Sequence, residues 1–454
     1  MSAADKIELL VDERELLVAQ EYDVQLNFFK TPNTFSLTVA SNKTTLDLMR
    51  LVRPGMKFSL RVNGVTVFCG FIDGYESLGS GGTTLTISGR DAMSQLVRAH
   101  VEAERSFSHA TYLDLAEAAV KASGIAEPTI FSDVASQRAA VTGTPIVETT
   151  HKQSLKLRDA AGKQGSTLEV KAVTADGSAY DVVAVRQGRT EVSTVVNQTI
   201  NRVTGYKTER PIKWDAGETY FAAFKKEGDR AGVFLRAGVD PTGKDPFVFL
   251  LSAPDPNQRA KFNLLNTRDP DRDAANVVLC ERQGGRYVMT GRHSKYVVLG
   301  QAGGGKDGRK QVRGEFVDEE ALAGLPMPAS FVRKDNQAKS TRQANFMARK
   351  ACAEARRANR TFPYRIKGSH SLPLAENPRE RGLPMPDVVV YLRDDEIGVD
   401  GDMWVDSVRF HKSVGDGTYT DLMLLDPTDL VFGEDELDRT LSPKTTTKRG
   451  WKHR

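Results

Sequence analysis

The sequence predicts an α+β fold that is mainly β, and three features of the chain predict it. Short runs of alternating apolar and polar residues, separated by turn dipeptides, fill the first hundred residues. Similar runs return in the last third of the chain, after one strongly amphipathic helix. The chain has 454 residues, which at about 150 residues per domain gives room for about three domains.

The first module is predicted over residues 1–105 as a small antiparallel β-barrel or sandwich. The run KFSLRV is followed by Asn63-Gly64 and then by VTVFCG, the pattern of a β-hairpin. Asn-Gly suits its type I′ turn because both central residues need a positive φ. Pro54-Gly55 is a turn that opens the first of these strands. Two further strands, YDVQLNFF and TFSLTVAS, lie upstream, and the regular spacing of the turns favours a barrel.

Residues 106–204 are predicted to form a segment of helices and strands. Thr111 and Asp114 have the spacing of a capping box, which begins a helix. Thr150 and Gln153 resemble the same signal, and they predict a second helix through SLKLRDAAGKQG. The runs TLEVKAV and YDVVAVRQ then predict two strands.

Residues 205–335 are predicted to form a second β-rich module with room for an insertion. Its clearest hairpin lies around Gly284-Gly285. The stretch from Gly300 to Asp307 reads GQAGGGKD and is one residue short of a phosphate-binding P-loop. Asp307 stands where that motif has the Ser or Thr that ligates Mg²⁺. The stretch therefore favours a flexible, solvated loop, with nucleotide binding as the alternative.

Residues 336–433 are predicted to hold a long helix and the C-terminal strands, which pack back on the barrels. Ser340 and Gln343 form a capping box before the helix at 341–360, in which alanines recur at helical spacing. The final segment, 434–454, is predicted to be a flexible basic tail. Three alternating strands are predicted after the helix, over 387–392, 403–411 and 418–425.

The long helix also has a basic face, formed by Arg342, Arg349, Lys350, Arg356 and Arg357. One interpretation is a solvated face, which the absence of interleaved aromatic residues favours. The other is contact with DNA or with an acidic partner surface, with the acidic N-terminal segment contacting a neighbour of its own. On that hypothesis, changing Arg349 and Arg356 to Glu blocks assembly and leaves the isolated fold intact.

The sequence predicts no enzyme: no catalytic, cofactor-binding or metal-binding residue and no cofactor. Cys69, Cys280 and Cys352 are too few for a disulfide scaffold and lack metal-site spacing. The seven histidines form no H-x-x-x-H or H-E-x-x-H pair, and the acidic triplet 394–396 is predicted to be a solvated turn. No apolar run is long enough to span a bilayer, the N-terminus lacks the features of a signal peptide, and a net charge of +4 is too small to argue for nucleic-acid binding.

Three blocks of the chain carry motifs in a fixed order. The first has Pro54-Gly55, Gly64, Gly70 and the motif Ser-Gly-Arg-Asp at 88–91, followed by Leu-Val-Arg. The second is GTPIVETTHKQSLKLRDAAGKQGSTLEV, and the third contains Asp-Asp-Glu-Ile-Gly-Val at 394–399 between strands. Together these blocks resemble the Mu-type phage tail proteins that form the baseplate hub. The Leu-Val-Arg departs from the Leu-Val-Asp common in that family.

The resemblance implies a structural hub with two tail-tube-like antiparallel β-barrel modules in each copy. Three copies form a ring that presents six barrels to the sixfold tail tube and threefold symmetry to the central spike of a contractile tail. The implied partners are the other copies of the homotrimer, the tail tube protein, the central spike protein, the tape-measure protein and the baseplate wedge proteins. Genome DNA passes through the lumen only transiently, the chain is made in the host cytoplasm and located in the virion, and it does not insert into a membrane.

Two alternatives remain open at this point. The first is a tail-associated protein that degrades the cell wall through a catalytic insert in residues 205–335. The second is a P-loop-like nucleotide binder that uses Gly300–Asp307.

Overall fold

The computed structural model has the mainly β, α+β fold that the sequence predicts. It describes residues 5–11, 14–40, 52–78, 84–107, 110–132, 143–158, 164–171, 191–208, 212–239, 245, 247–256, 258–267, 277–302, 310–335, 338 and 340–431. The α-helices in these ranges are α1 Met93–Arg98, α2 Tyr112–Ala122, α3 Tyr220–Ala231, α4 Glu319–Gly324 and α5 Thr341–Asn359.

The strands are numbered along the chain. The first fourteen are β1 Ile7–Val11, β2 Arg14–Val18, β3 Glu21–Asn27, β4 Thr34–Ala40, β5 Lys57–Val62, β6 Val65–Leu78, β7 Thr84–Asp91, β8 Arg105–Phe107, β9 Thr129–Ser132, β10 Gly143–Arg158, β11 Gln164–Lys171, β12 Glu191–Thr208, β13 Ile212–Trp214 and β14 Phe234–Ala237. The others are β15 Val248–Ser252, β16 Phe262–Asn266, β17 Val278–Leu279, β18 Glu281–Arg282, β19 Arg286–Tyr287, β20 Lys295–Ala302, β21 Lys310–Val317, β22 Ser330–Lys334, β23 Arg360–Lys367, β24 Leu372–Pro373, β25 Arg381–Gly382, β26 Val389–Asp394, β27 Val399–Ser413 and β28 Gly417–Leu425.

The first β-module is a run of seven antiparallel strands in the order β3–β4–β7–β6–β5–β1–β2. Every second residue of β7 is buried, which is the period of a strand with one face on a core. The turn between β5 and β6 has φ angles of 51° at Asn63 and 79° at Gly64. The type I′ hairpin predicted from Asn-Gly is therefore confirmed.

The second β-module closes on itself. Strands β16, β26, β27, β28 and β23 pair in that order. The segment 278–282 completes the ring, because β17 pairs with β16 and β18 pairs with β23. The sequence places the second module within 205–335, and here the structure differs: strands from 262–282 combine with strands from 360–425. Periodicity identifies strands, but it does not identify partners that lie a hundred residues apart.

Strand β27 joins the two modules into one sheet. Its first residues pair with β26, whereas Ser407–Lys412 pair with β3. A register shift between Val405 and Ser407 marks a β-bulge at the point where the partner changes. The buried residues of both modules belong to one hydrophobic core.

The three C-terminal strands predicted from the sequence are confirmed as β26, β27 and β28, with ends that differ by a few residues. Helix α5 is also confirmed, since the Ser340 hydroxyl accepts a hydrogen bond from the Gln343 amide. The predicted basic tail at 434–454 lies outside the described residues.

A helical unit lies beside the β-modules. Helices α1, α2 and α3 pack with β8, β9 and β13–β15 around a core of their own. Trp214 is fully buried there, with its ring 4.7 Å from that of Phe107. Helix α2 begins at the predicted capping box, in which the Thr111 amide donates to the Asp114 carboxylate at 2.7 Å.

Strands β10, β11 and β12 form a separate antiparallel sheet in the order β11–β10–β12. The predicted second helix is wrong, because Thr150 to Arg158 belong to β10 and pair with β12 along their length. Leu155 and Leu157 alternate with Lys156 and Arg158, which is the period of a strand. The hydrogen bonds between β10 and β12 therefore outweigh the helix-capping preference of Thr150 and Gln153. The predicted strand YDVVAVRQ lies outside the described residues.

Candidate assembly site

The Ser-Gly-Arg-Asp motif at 88–91 ends β7, between β4 and β6. A Cβ at Gly89 would lie 2.7 Å from the carbonyl oxygen of Phe71. Gly70 has no room either, because a Cβ there would overlap the carbonyl oxygen of Arg90. Both glycines are therefore required by the close approach of β6 and β7.

Asp91, the last residue of this motif, is fully buried and connects the β-module to the helical unit. Its carboxylate accepts hydrogen bonds from the backbone amides of Met93 and Asn33, each at 3.0 Å. Burial raises the pKa of Asp91 to about 7, although both amides favour the charged form. The residue holds the start of α1 and the loop before β4 in place.

Arg90 lies at the rim of a groove of about 460 Å³ between the first β-module and the helical unit. Its guanidinium donates two hydrogen bonds to the Asp73 carboxylate, at 2.6 and 2.7 Å. Arg98 forms a second ion pair with the same carboxylate, at 3.8 Å. The apolar lining comes from Pro54, Phe71, Ile72, Ile125 and Phe247. Asp73, the carboxylate among the lining residues of the groove, is therefore already paired with two arginines.

The Asp-Asp-Glu-Ile-Gly-Val motif forms the turn between β26 and β27. The prediction of a solvated turn is wrong for Asp394, which is fully buried. Its carboxylate accepts hydrogen bonds from the Glu396 amide at 2.9 Å and from the Tyr364 hydroxyl at 2.6 Å. Burial, followed by that hydrogen bond, raises the pKa of Tyr364. Asp394 thus shapes the turn and fixes it to β23.

Polar contacts strengthen the connection between the two β-modules. Arg409 on β27 donates to Asp23 on β3 at 2.6 and 2.9 Å. At a second place, Asp5 accepts from the side chain of Asn63 at 2.6 Å and from the His370 amide at 3.0 Å. The Asn-Gly turn of the first module therefore also contacts the loop after β23.

His370 is fully buried at this second contact. One ring nitrogen lies 2.7 Å from the Tyr22 hydroxyl, and the other lies 2.7 Å from the Thr420 hydroxyl. Burial lowers the pKa of His370 to about 4. The neutral imidazole thus serves as a packing and hydrogen-bonding group between β3 and β28.

The basic face predicted on α5 is not a continuous solvated surface. Arg356 donates to Asp318, which is fully buried, at 2.7 Å, and Arg292 donates to the same carboxylate at 2.9 Å. Burial alone would raise the pKa of Asp318, but these hydrogen bonds outweigh it and hold the pKa at about 2. Arg357 stacks 4.9 Å from the ring centroid of Phe29. Both interpretations of this face are therefore wrong for Arg356, which is neither solvated nor free for a partner.

The glycine-rich stretch lacks the context of a P-loop. Gly300 belongs to β20, which pairs antiparallel with β21, so a strand follows the loop where a P-loop has a helix. Gly300 is instead a packing residue, because a Cβ there would overlap the carbonyl oxygen of Ala338. Residues 303–307 lie outside the described residues.

No further chemical centre emerges from the part of the chain that the structure describes. It contains no group of three or more His, Cys, Asp or Glu residues placed to hold a metal ion. None of its helices combines the length and the apolar character needed to cross a bilayer.

Comparison with known proteins supports the fold and the first motif. Residues 6–91 match the model of the N-terminal domain of the Mu phage baseplate assembly protein GpP-like family. The tail protein from Neisseria meningitidis MC58 is similar in structure, with a TM-score of 0.63, 17% identity, and coverage of 95% of this chain and 99% of that one. The 43 kDa tail protein of prophage MuSo2 from Shewanella oneidensis has a TM-score of 0.59 and 13% identity, covering 94% and 100%. No curated protein sequence matches the chain.

The chain thus has the fold of phage tail proteins over most of its length, and its first 91 residues carry the matched baseplate domain with the motif at 88–91. Residues 6–91 match the model of a Mu phage baseplate domain, so the particular likeness of this chain to Mu-type baseplate proteins lies in its N-terminal module. The resemblance to Mu-type tail proteins that the sequence predicts is confirmed.

Proposed function

We propose that the chain is a baseplate hub. Three copies form a ring that adapts the sixfold tail tube to the threefold central spike of a contractile phage tail. The observation that carries the proposal is the β3–β27 ladder, which joins two β-modules within one chain. A ring of three such chains has six modules, so one component matches both symmetries.

Strand edges supply a physical reason for a closed ring. In the described part of the chain, β2 ends the run of the first module and pairs only with β1. An unpaired edge is a template for another strand, and pairing between neighbouring copies removes it. A permanent ring of this kind buries an interface of about 2,000 Å² or more.

The partners in this proposal are the tail tube protein on the sixfold side and the central spike protein on the threefold side. The tape-measure protein and the baseplate wedge proteins complete the surroundings, and DNA crosses the lumen only during injection. The chain is made in the host cytoplasm and works by shape, without a catalytic step or a membrane-inserted segment.

The mass of the purified chain tests the ring. We expect sedimentation equilibrium to give a species of three times 49.9 kDa for the chain alone, or that mass plus the mass of the bound spike when the spike protein is added. Electron microscopy of that species is expected to show three copies and six β-modules around one axis. A chain that stays monomeric in both samples, or a ring with another number of copies, contradicts the proposal.

Two assays separate the hub from the alternatives. Zymography on purified cell wall tests the segment 205–335, and we expect no clearing. Titration with labelled ATP and Mg²⁺ tests Gly300–Asp307, and we expect no saturable binding, because the element after the loop is a strand. Clearing or saturation would assign the chain a second activity.

A further inference from the structure

The groove between the first β-module and the helical unit combines apolar and charged lining residues. Phe71 on β6 and Phe247, which precedes β15, have ring centroids 5.4 Å apart. Ile72 and Ile125 add to the apolar part of the lining. The volume of about 460 Å³ lies within the range of about 300–1,000 Å³ that ligand pockets have. The groove is therefore large enough to receive side chains of another molecule.

The charged residues of the lining leave an excess of positive charge. They are two arginines, Arg90 and Arg98, and one carboxylate, Asp73. The Arg90 guanidinium is bound to that carboxylate through two hydrogen bonds at 2.6 and 2.7 Å. Arg98 approaches it only to 3.8 Å, and the Arg98 side chain is 60% exposed. Arg98 can therefore bind a new acceptor while Asp73 keeps Arg90 as its partner.

The charge of the groove favours an acidic partner. The Lys57 ammonium group lies over the Phe247 ring, 5.3 Å from its centroid, and adds a cation beside the apolar lining. A basic partner would have to displace an arginine from Asp73, the carboxylate of this lining. A nucleic acid presents a row of phosphates, and one available guanidinium beside apolar side chains matches such a row poorly. A carboxylate next to an apolar side chain matches both kinds of lining residue.

We propose that this groove is a docking site for an acidic segment of a partner protein, in which an Asp or Glu lies next to a Phe or Leu. The carboxylate of the segment pairs with Arg98, because a guanidinium can donate two parallel hydrogen bonds to a carboxylate. The apolar side chain packs against Phe71 and Phe247. Since Phe71 belongs to the first β-module and Arg98 to α1, the segment contacts both units. This site goes beyond the hub proposal and does not rest on the number of copies.

Charge reversal at Arg98 tests the site in the full-length chain. The probes are four fluorescein-labelled octapeptides that carry Glu-Phe, Glu-Leu, Asp-Phe or Asp-Leu between Gly and Ser residues, and four counterparts in which Lys replaces the acid. Fluorescence anisotropy measures their binding to the wild type, to Arg98→Glu and to the control Arg342→Glu. Arg342 is an exposed arginine at the start of α5 and does not line the groove.

Circular dichroism with thermal unfolding checks that each variant is folded. We expect the fold to tolerate the change at Arg98, because its side chain is mostly exposed and its ion pair is long. Arg98→Gln, which removes the charge without reversing it, is the second variant and replaces Arg98→Glu if the reversal unfolds the chain.

We expect at least one acidic peptide to bind the wild type saturably, and its Lys counterpart to bind at least about tenfold more weakly. Either change at Arg98 should weaken the acidic peptide by at least about tenfold, and Arg342→Glu should leave its affinity within about threefold of the wild type. Arg98→Glu should also bind the Lys counterpart more tightly than the wild type does, because the reversal makes the lining negative. A merely structural role of Arg98 would not exchange the preference in this way.

The inference is overturned if none of the acidic peptides binds saturably, or if the wild type and the Arg98 variants bind them equally. An octamer of thymidylate that binds through Arg98 more tightly than every acidic peptide would also overturn it, in favour of a nucleic-acid contact. The mass of the chain tests the ring separately, so each of these results leaves the hub proposal as it stands.

Discussion

Three buried carboxylates stabilise the fold of this protein locally through the hydrogen bonds that they accept. Asp91, Asp318 and Asp394 are fully covered, and each accepts several hydrogen bonds from backbone amides, arginines or a tyrosine. A buried carboxylate without such partners is costly. These acids therefore determine local stability, and substitutions at them report on the fold.

The free energy of unfolding should depend on pH through Asp91. Its pKa is 3.8 unfolded and about 7 folded, so between these values the folded state binds more protons. Stability is therefore lost as pH rises through this window, by at most about 1.4 kcal/mol per pH unit. Urea unfolding of the wild type and of Asp91→Asn between pH 4 and 8 measures the difference, and we expect the variant to lack this slope. Parallel curves for the two proteins would argue against a raised pKa.

Changing Arg356 to Glu should destabilise the isolated chain. The side chain is 20% exposed and contacts the buried Asp318, and removal of one partner from a buried pair costs about 3–5 kcal/mol. Chemical unfolding of the purified chain measures the loss. Arg342→Glu, on the exposed start of α5, is the control and should change stability by less than about 1 kcal/mol. Equal stability of the two variants would show that Arg356 belongs to a solvated face of α5 after all.

At the scale of elements, glycines decide how closely a helix and a sheet approach. Helix α5 covers the sheet β21–β20–β22, with Ala344 and Ala348 in the shared core. Gly314 on β21 lies directly against the helix backbone, and Gly300 on β20 lies against Ala338. Glycines that interrupt the pattern of a sequence can therefore be packing sites rather than loop residues.

A methyl group at Gly314 should loosen this contact. A Cβ there would overlap the backbone of Ala344, so Gly314→Ala should cost about 1–3 kcal/mol through overpacking. Thermal unfolding measures the effect. Gly401→Ala, in a strand position with open space around it, is the matched control and should be close to neutral. A neutral result at Gly314 would show that α5 can shift without cost.

At the scale of the whole molecule, the two β-modules are parts of one folding unit. Strand β3 lies between β4 and β27, and one core contains buried residues from both modules. Strand β27 changes partner at its bulge and so carries the sheet from one module to the other. The relative position of the modules is thus set by backbone hydrogen bonds.

The fragment 1–105 should therefore fail to fold alone. Without β27, strand β3 becomes an exposed edge and part of the core is missing. We expect the fragment to aggregate or to unfold without a cooperative transition, whereas the full chain melts cooperatively. Circular dichroism and calorimetry make the comparison. A sharp transition in the fragment would show that the first module is an independent domain.

Sequence alone determined the features with short-range causes. Asn63-Gly64 fixed a hairpin, Thr111 and Ser340 fixed two helix starts, and the motif at 88–91 pointed to the family whose model matches this region. Turn and capping preferences depend on residues only a few positions apart, so they can be predicted from a single sequence.

Only the tertiary structure decided the features that depend on distant partners. The segment after Thr150, predicted to be a helix, is a strand because it pairs with a distant strand. Pairing between distant strands also joins segments from before and after residue 335 in the second module. Burial made Arg356 an internal ion-pair partner and Gly300 a packing residue. The physical reason is common to all four: hydrogen bonding and desolvation depend on which residues meet in space, and a local pattern does not contain that information.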